Sequence, residues 1–256
     1  MPGYHRRTWL IAVCWAVFLP VFSEQPSLKW EFRAQTNLYA SPLVADVHSS
    51  PGLETIISDS EARSLRCISA QGTELWSFHP GWKKRLTASA ALSFTARPGK
   101  GTLAIANPDG TLYVLDAESG ASLWKKEIGK MEWSSSMWVD LNNDQVDELV
   151  VPTETDGITV FRADGELLWK RTQTNDGITW NIQAPAAAGD VDGDNVKEVF
   201  AITSSTIICV NQDGTLRWAY SPGHEMIGAP TVGRLKKDAG YTVLAVSRKE
   251  NLLHIV

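Results

Sequence analysis

Two nine-residue stretches place oxygen ligands at alternate positions. In DVDGDNVKE, Asp190, Asp192, Asp194 and Glu198 stand at positions 1, 3, 5 and 9, and the carbonyl of Val196 falls at position 7. DLNNDQVDE repeats the arrangement with Asp140, Asn142, Asp144, Val146 and Glu148. Hard oxygens spaced in this way let one loop wrap a cation of Ca²⁺ size, which takes roughly 6–8 oxygens at about 2.3–2.6 Å. Carboxylates this dense repel one another strongly without a cation. The competing reading is an acidic, solvated turn.

A helix-flanked calcium loop of the EF-hand kind does not account for these ladders. Position 12 is Ala201 or Val151 where that loop needs a bidentate glutamate, and the flanking residues read as strands. A worn version, DVHSSPGLE, keeps Asp46, His48, Ser50 and Glu54, whereas Phe94 and Arg234 occupy the first ligand place elsewhere. A device kept in some units and lost from others is expected to stiffen its own loop. It would add stability by mass action and carry no chemistry.

The elements that position these loops recur with a long period. Trp30, Trp76, Trp124, Trp169 and Trp218 are spaced 46, 48, 45 and 49 residues apart, and the last four end the runs GTELW, GASLW, GELLW and GTLRW. Each unit reads as four segments of four to seven residues, bounded by Gly, Asp and Asn, with no helical periodicity. The first is small and apolar (APAAAGD), the second β-branched (EVFAITS), the third alternating (STIICVN), and the fourth holds the Trp. A sheet of this size cannot bury both faces alone and must stack on its neighbours, which predicts an all-β fold: a β-propeller of four-stranded blades.

The expected blades are 38–78, 86–128, 131–172, 181–220 and 226–256, within a propeller spanning 24–256. SLKWEF (27–32) reads as a lone fourth strand that could complete the last blade. That makes about five blades in this chain, either a closed ring of five or an incomplete larger ring. Each indole should cover the face toward the next blade; burying about 150–250 Å² of ring at about 25 cal/mol per Å² gives an upper bound of roughly 4–6 kcal/mol per blade.

Composition narrows the partners. The 256 residues carry 24 Lys and Arg against 29 Asp and Glu, a net charge of −5 with no basic stripe, so nucleic acid is not expected. Arg6 and Arg7 precede an apolar run over 9–22 that is too short for the ~20 residues of a membrane span. Residues 1–23 are therefore read as a signal peptide, which predicts export to the periplasm, the cell surface or the medium, with no membrane span left after cleavage. An uncleaved anchor is the alternative. Beyond that leader, Cys67 and Cys209 occupy equivalent places in non-adjacent units and are expected to be buried and unbridged.

LYVLDAESGASLW (112–124), with GTLRW, GELLW and GTELW, resembles the repeat of the pyrroloquinoline-quinone-type propellers. The ladders followed by EVFAI or ELVVP are similar to the FG-GAP/VCBS calcium repeat of integrin-like propellers. The likeness covers nearly all of 27–256 and implies the fold; such propellers host many functions. Quinoprotein dehydrogenases of the family use adjacent cysteines at the quinone, and this chain has no such pair, so pyrroloquinoline quinone is not expected.

Ligands of propellers usually sit where fourth-to-first and second-to-third connections meet. Trp82, Trp133 and Trp180 fall in those connections and could form a ligand face for protein or carbohydrate; the alternative is that each packs over its own blade. No G-x-S-x-G, H-E-x-x-H, C-x-x-C or phosphate loop is present, and no catalytic residue is assigned. The expected function is an exported, non-enzymatic, calcium-stabilised binding or scaffold module. The alternative is a fragment of a propeller enzyme, a quinoprotein dehydrogenase or a polysaccharide lyase.

Overall fold

The computed structural model describes residues 28–34, 37–235, 241–248 and 250–256. The chain divides into two compact units, Met1–Glu31 and Phe32–Val256. The signal peptide expected over 1–23 lies outside the described residues.

Strand order follows chain order throughout the second unit. β1 (Leu43–Ala45), β2 (Glu54–Asp59), β3 (Ser64–Ile68) and β4 (Glu74–Phe78) make the first sheet. β5 (Ala91–Ser93), β6 (Thr102–Ala106), β7 (Thr111–Asp116) and β8 (Ser122–Glu127) make the second. β9 (Met137–Val139), β10 (Glu148–Thr153), β11 (Gly157–Phe161) and β12 (Leu167–Arg171) make the third. β13 (Ala187–Gly189), β14 (Glu198–Ile202), β15 (Ile207–Val210) and β16 (Leu216–Tyr220) make the fourth. The fifth has three strands, β17 (Met226–Gly233), β18 (Thr242–Ser247) and β19 (Leu253–Ile255). All pairings are antiparallel, as in a meander. The fold is the β-propeller of about five blades that the repeat predicts. Among the described residues, no helix is long and apolar enough to cross a membrane.

Residues 28–32, expected as a strand, form none. That expectation rested on Trp30, which has Pro26 four positions earlier where the other repeats have the turn glycine.

Burial explains the sequence pattern of each segment. Every residue of β6, β10, β11, β14 and β15 is buried, so the second and third segments read as near-continuous apolar runs. The fourth strands β8, β12 and β16 lie mostly exposed. The apolar core is divided among successive sheets: Ile56 and Cys67 pack with Leu103 and Leu115, Val114 with Leu149, Val160 with Val199, and Phe200 with Val243. Each sheet thus gains its second buried face only by stacking, the logic of a repeat fold.

The Trp strand makes the same crossing three times. Trp76, Trp124 and Trp169 donate their indole N–H to carbonyls of the following blade, at Ala117 (3.2 Å), Ala163 (2.8 Å) and Gln212 (2.7 Å). Each indole lies on the next repeat's glycine, where a Cβ would come within 2.7 Å (Gly120), 3.0 Å (Gly165) or 2.9 Å (Gly214) of its Cδ2. The glycine therefore serves a positive-φ turn and a docking surface at once. These indoles are half-buried, so each contributes less than the upper bound for full burial.

A bulge recurs beside them. The register of the third and fourth strands shifts next to the Trp partner in all four complete sheets, leaving Leu75, Leu123, Leu168 and Arg217 outside the ladder. Such bulges re-aim a side chain.

Candidate functional site

Both carboxylate ladders lie between a short first strand and a buried second strand. Their position-9 glutamates, with Glu54 of the first sheet, share one role. Glu54, Glu148 and Glu198 are buried, and each accepts the backbone N–H of the loop's second residue: Val47 at 3.0 Å, Leu141 at 2.9 Å and Val191 at 3.1 Å. The glutamate is a pin that folds the loop back onto its own sheet. Buried carboxylates need such partners.

In the fourth sheet the loop gathers its acids. Asp190, Asp192 and Asp194 bring carboxylate oxygens within 4.8 Å of one another. Asp190 accepts N–H groups from Gly193 (2.6 Å) and Asn195 (3.0 Å), and Asp194 accepts that of Val196 (2.8 Å). Gly193 and Asn195 adopt positive φ, 87° and 69°, curling the chain around the acids. Arg217, re-aimed by the bulge before Trp218, donates to Asp192 at 2.7 Å and to Glu198 at 3.1 Å. That guanidinium holds the Asp192 carboxyl below its ordinary range, against a smaller opposing effect of desolvation.

The third-sheet ladder differs. Its bulged residue is Leu168, so no arginine reaches in from that position. Asn142 donates its side-chain amide to Asp144 (3.0 Å) and Glu148 (3.3 Å), while Asp140 accepts the N–H groups of Asp144 (3.1 Å) and Gln145 (2.9 Å). The Val146 N–H goes to Asp144 at 2.8 Å. Burial pushes the Glu148 carboxyl above its ordinary value; the Leu141 N–H opposes this and the charges of Asp144 and Asp140 add to it. The two ladders are tied together by Lys197, whose ammonium reaches the Asp140 carbonyl at 2.6 Å and whose N–H reaches that of Leu141 at 2.9 Å.

Lys197 and Arg217 were not anticipated from sequence. A signal for Arg217 was present: GTLRW carries arginine where GTELW, GASLW and GELLW carry leucine.

The three connecting tryptophans separate. Trp82 is buried and packs edge-on to Phe78 and Tyr113. Trp180 is buried beneath the Arg171 guanidinium, 5.7 Å from the ring centroid. Neither can offer a ring to a ligand, which corrects the expectation of a three-tryptophan face. Trp133 is 61% exposed. It stands at a cavity of about 610 Å³ whose wall includes Asn181, Gln183, Ser204, Glu225 and Arg248. Ser134, next to Trp133, donates to the carbonyl of Ala184 at 2.9 Å and fixes the tryptophan loop to that wall. Glu225 and Arg248 pair at 3.1 Å. WNIQ (180–183) alternates buried Trp180 and Ile182 with exposed Asn181 and Gln183, so the period-2 pattern already marked which side chains face outward.

Cys67 and Cys209 are free and buried, with burial pushing each thiol up to about 12. Both are inert packing residues.

A family model described as outer membrane protein assembly factor BamB, built on the PQQ-type repeat, matches residues 24–146 and 61–254. Among solved structures, the chain is similar to the biofilm matrix protein Bap1 of V. cholerae, with a TM-score of 0.66 and 18% identity over 90% of this chain and 40% of that one. It is similar to the quinohemoprotein alcohol dehydrogenase of Comamonas testosteroni, with a TM-score of 0.62 and 13% identity over 86% and 41%. BamB of Moraxella catarrhalis gives 0.57 and 14% over 90% and 67%. At these identities the likeness shows the fold alone. The chain spans about two fifths of the dehydrogenase and of Bap1. No curated protein matches it in sequence.

Proposed function

The chain belongs to the BamB-type PQQ-repeat family, and from that premise we propose that it is an exported, non-enzymatic propeller that holds a protein or carbohydrate on its Trp133 face. One observation carries the reading. Trp133 stands exposed beside a cavity of about 610 Å³, while its counterparts Trp82 and Trp180 are absorbed into the core. An indole exposed beside a concave wall offers a partner a large apolar ring with a polar edge.

The carboxylate ladders serve stability in this account. Asp190, Asp192 and Asp194 form a donor set suited to a hard cation, to which the Val196 carbonyl would add a further oxygen, and Glu198 anchors the loop. In the third sheet Asp140, Asn142, Asp144 and the Val146 carbonyl would do the same, with Glu148 as the pin. Bound Ca²⁺ would neutralise the gathered acids and fix the first-to-second-strand connection. The calcium-repeat part of the resemblance rests on these ladders.

The alternative reading is a fragment of a propeller enzyme, a quinoprotein dehydrogenase or a polysaccharide lyase. The residues present do not fit the quinone. Cys67 and Cys209 lie buried on β3 and β15, in different sheets. They are not neighbours in the chain and cannot form the vicinal pair that chemistry requires.

A photo-crosslinking side chain at position 183, with a control at position 126 on the outer strand β8, tests the binding reading in cells that export the protein. Adducts at 183 that disappear with Trp133→Ala, and none at 126, are expected. Equal labelling at the two positions would overturn it.

A further inference from the structure

We propose that the Trp133 cavity binds a neutral oligosaccharide, a step that rests on the binding-module reading and specifies its ligand. The volume, about 610 Å³, lies within the roughly 300–1,000 Å³ of small-molecule sites. Trp133 supplies a flat amphipathic platform, the natural partner of the C–H face of a pyranose ring. Around it Asn181, Gln183 and Ser204 are exposed along the cavity wall. Side chains of these types both donate and accept, which matches hydroxyl groups that do the same.

Charge excludes the ionic alternatives. Glu225 and Arg248 face each other at 3.1 Å and neutralise one another, so among the described residues the wall presents no uncompensated charge for a phosphate or a uronate. The paired groups still offer a guanidinium fork and a carboxylate edge to vicinal hydroxyls.

An extended peptide is the less suitable occupant. Strand addition needs a regular run of backbone donors and acceptors. The β17 wall is interrupted there: the ladder to β18 jumps from Ile227 to Thr231, with Gly228 at a φ of 79° and Pro230 lacking an N–H.

Titration calorimetry of the full chain with cellotetraose, maltotetraose and chitotetraose tests the proposal, with tetragalacturonate as the charged control. At least one neutral tetrasaccharide is expected to bind more tightly than tetragalacturonate. Trp133→Ala should weaken it at least tenfold, Gln183→Ala should weaken it severalfold, and Lys126→Ala should leave it unchanged. Trp133 is exposed, so its variant is expected to keep the parent's thermal transition. Absence of binding by all three at millimolar concentration, or binding indifferent to Trp133→Ala, overturns the proposal. If the sugars fail while position 183 still gives a Trp133-dependent protein adduct, the saccharide inference falls and the binding module stands. If both fail, both fall.

Discussion

Trp124 reaches out of the second sheet and rests on Gly165 of the third: its Nε1 donates to the Ala163 carbonyl at 2.8 Å, and a Cβ at Gly165 would stand 3.0 Å from its Cδ2. The G-x-x-x-W repeat is therefore two halves of one joint, with the glycine of a unit receiving the tryptophan of the unit before it.

Two alanine substitutions isolate that joint. Gly165 and Gly177 share nearly the same φ, 88° and 87°, but nothing lies within 4 Å of a Cβ at Gly177. Gly177→Ala should cost only the backbone strain, about 1–3 kcal/mol. Gly165→Ala should cost about 1–3 kcal/mol more, because the indole must be displaced. Urea unfolding of both variants checks this; equal losses would remove the packing role of the glycine.

Trp82, Trp133 and Trp180 should divide the same way. Trp82→Ala and Trp180→Ala empty buried space and should each lose about 3–5 kcal/mol. Trp133→Ala should stay within about 0.5 kcal/mol of the parent. Thermal unfolding of the three variants measures the split.

The fold was legible because every unit repeats the same physics: buried β-branched middle segments, a turn glycine and a crossing indole. The site was legible only in part. Asp190, Asp192 and Asp194 follow each other closely in sequence, and their gathering could be anticipated from spacing. Arg217 comes from a strand 19 residues beyond Glu198 and reaches the ladder through a bulge, a register feature that periodicity does not show. The burial of Trp82 and Trp180 likewise depends on Tyr113 and Arg171, residues of other segments.

Arg217 occupies oxygens that a cation would otherwise use. Arg217→Leu, restoring the residue type of the other repeats, should tighten Ca²⁺ binding at 190–198 by about tenfold. A charge-assisted hydrogen bond is worth about 1.5–3 kcal/mol, and about 1.4 kcal/mol is a factor of ten. Calorimetric titration reads the change, and weaker binding in the variant would make Arg217 a support of the site instead of a competitor.

Acid should find the first sheet through Glu54. Burial raises its carboxyl, but the Ser50 hydroxyl and the N–H groups of Val47 and His48 outweigh this and leave it below the ordinary 4.5. A depressed acid stabilises the fold above its unfolded value and loses that contribution as pH falls through the folded value. The stability advantage of the parent over Glu54→Gln should therefore be present above 4.5, the ordinary value, and shrink as pH falls below it. Urea unfolding across that range measures it.

The division of labour between a stabilising ladder and a binding face is tested most directly by the midpoint of thermal unfolding in Ca²⁺ against a chelator, for the parent, Trp133→Ala, and the double variant Asp140→Ala with Asp190→Ala. At a hundredfold excess over Kd, one site adds about 2.7 kcal/mol, about 5–10 °C for a domain of this size. The account predicts that rise for the parent and for Trp133→Ala, and none for the double variant. An equal response in all three, or no response in the parent, would contradict it.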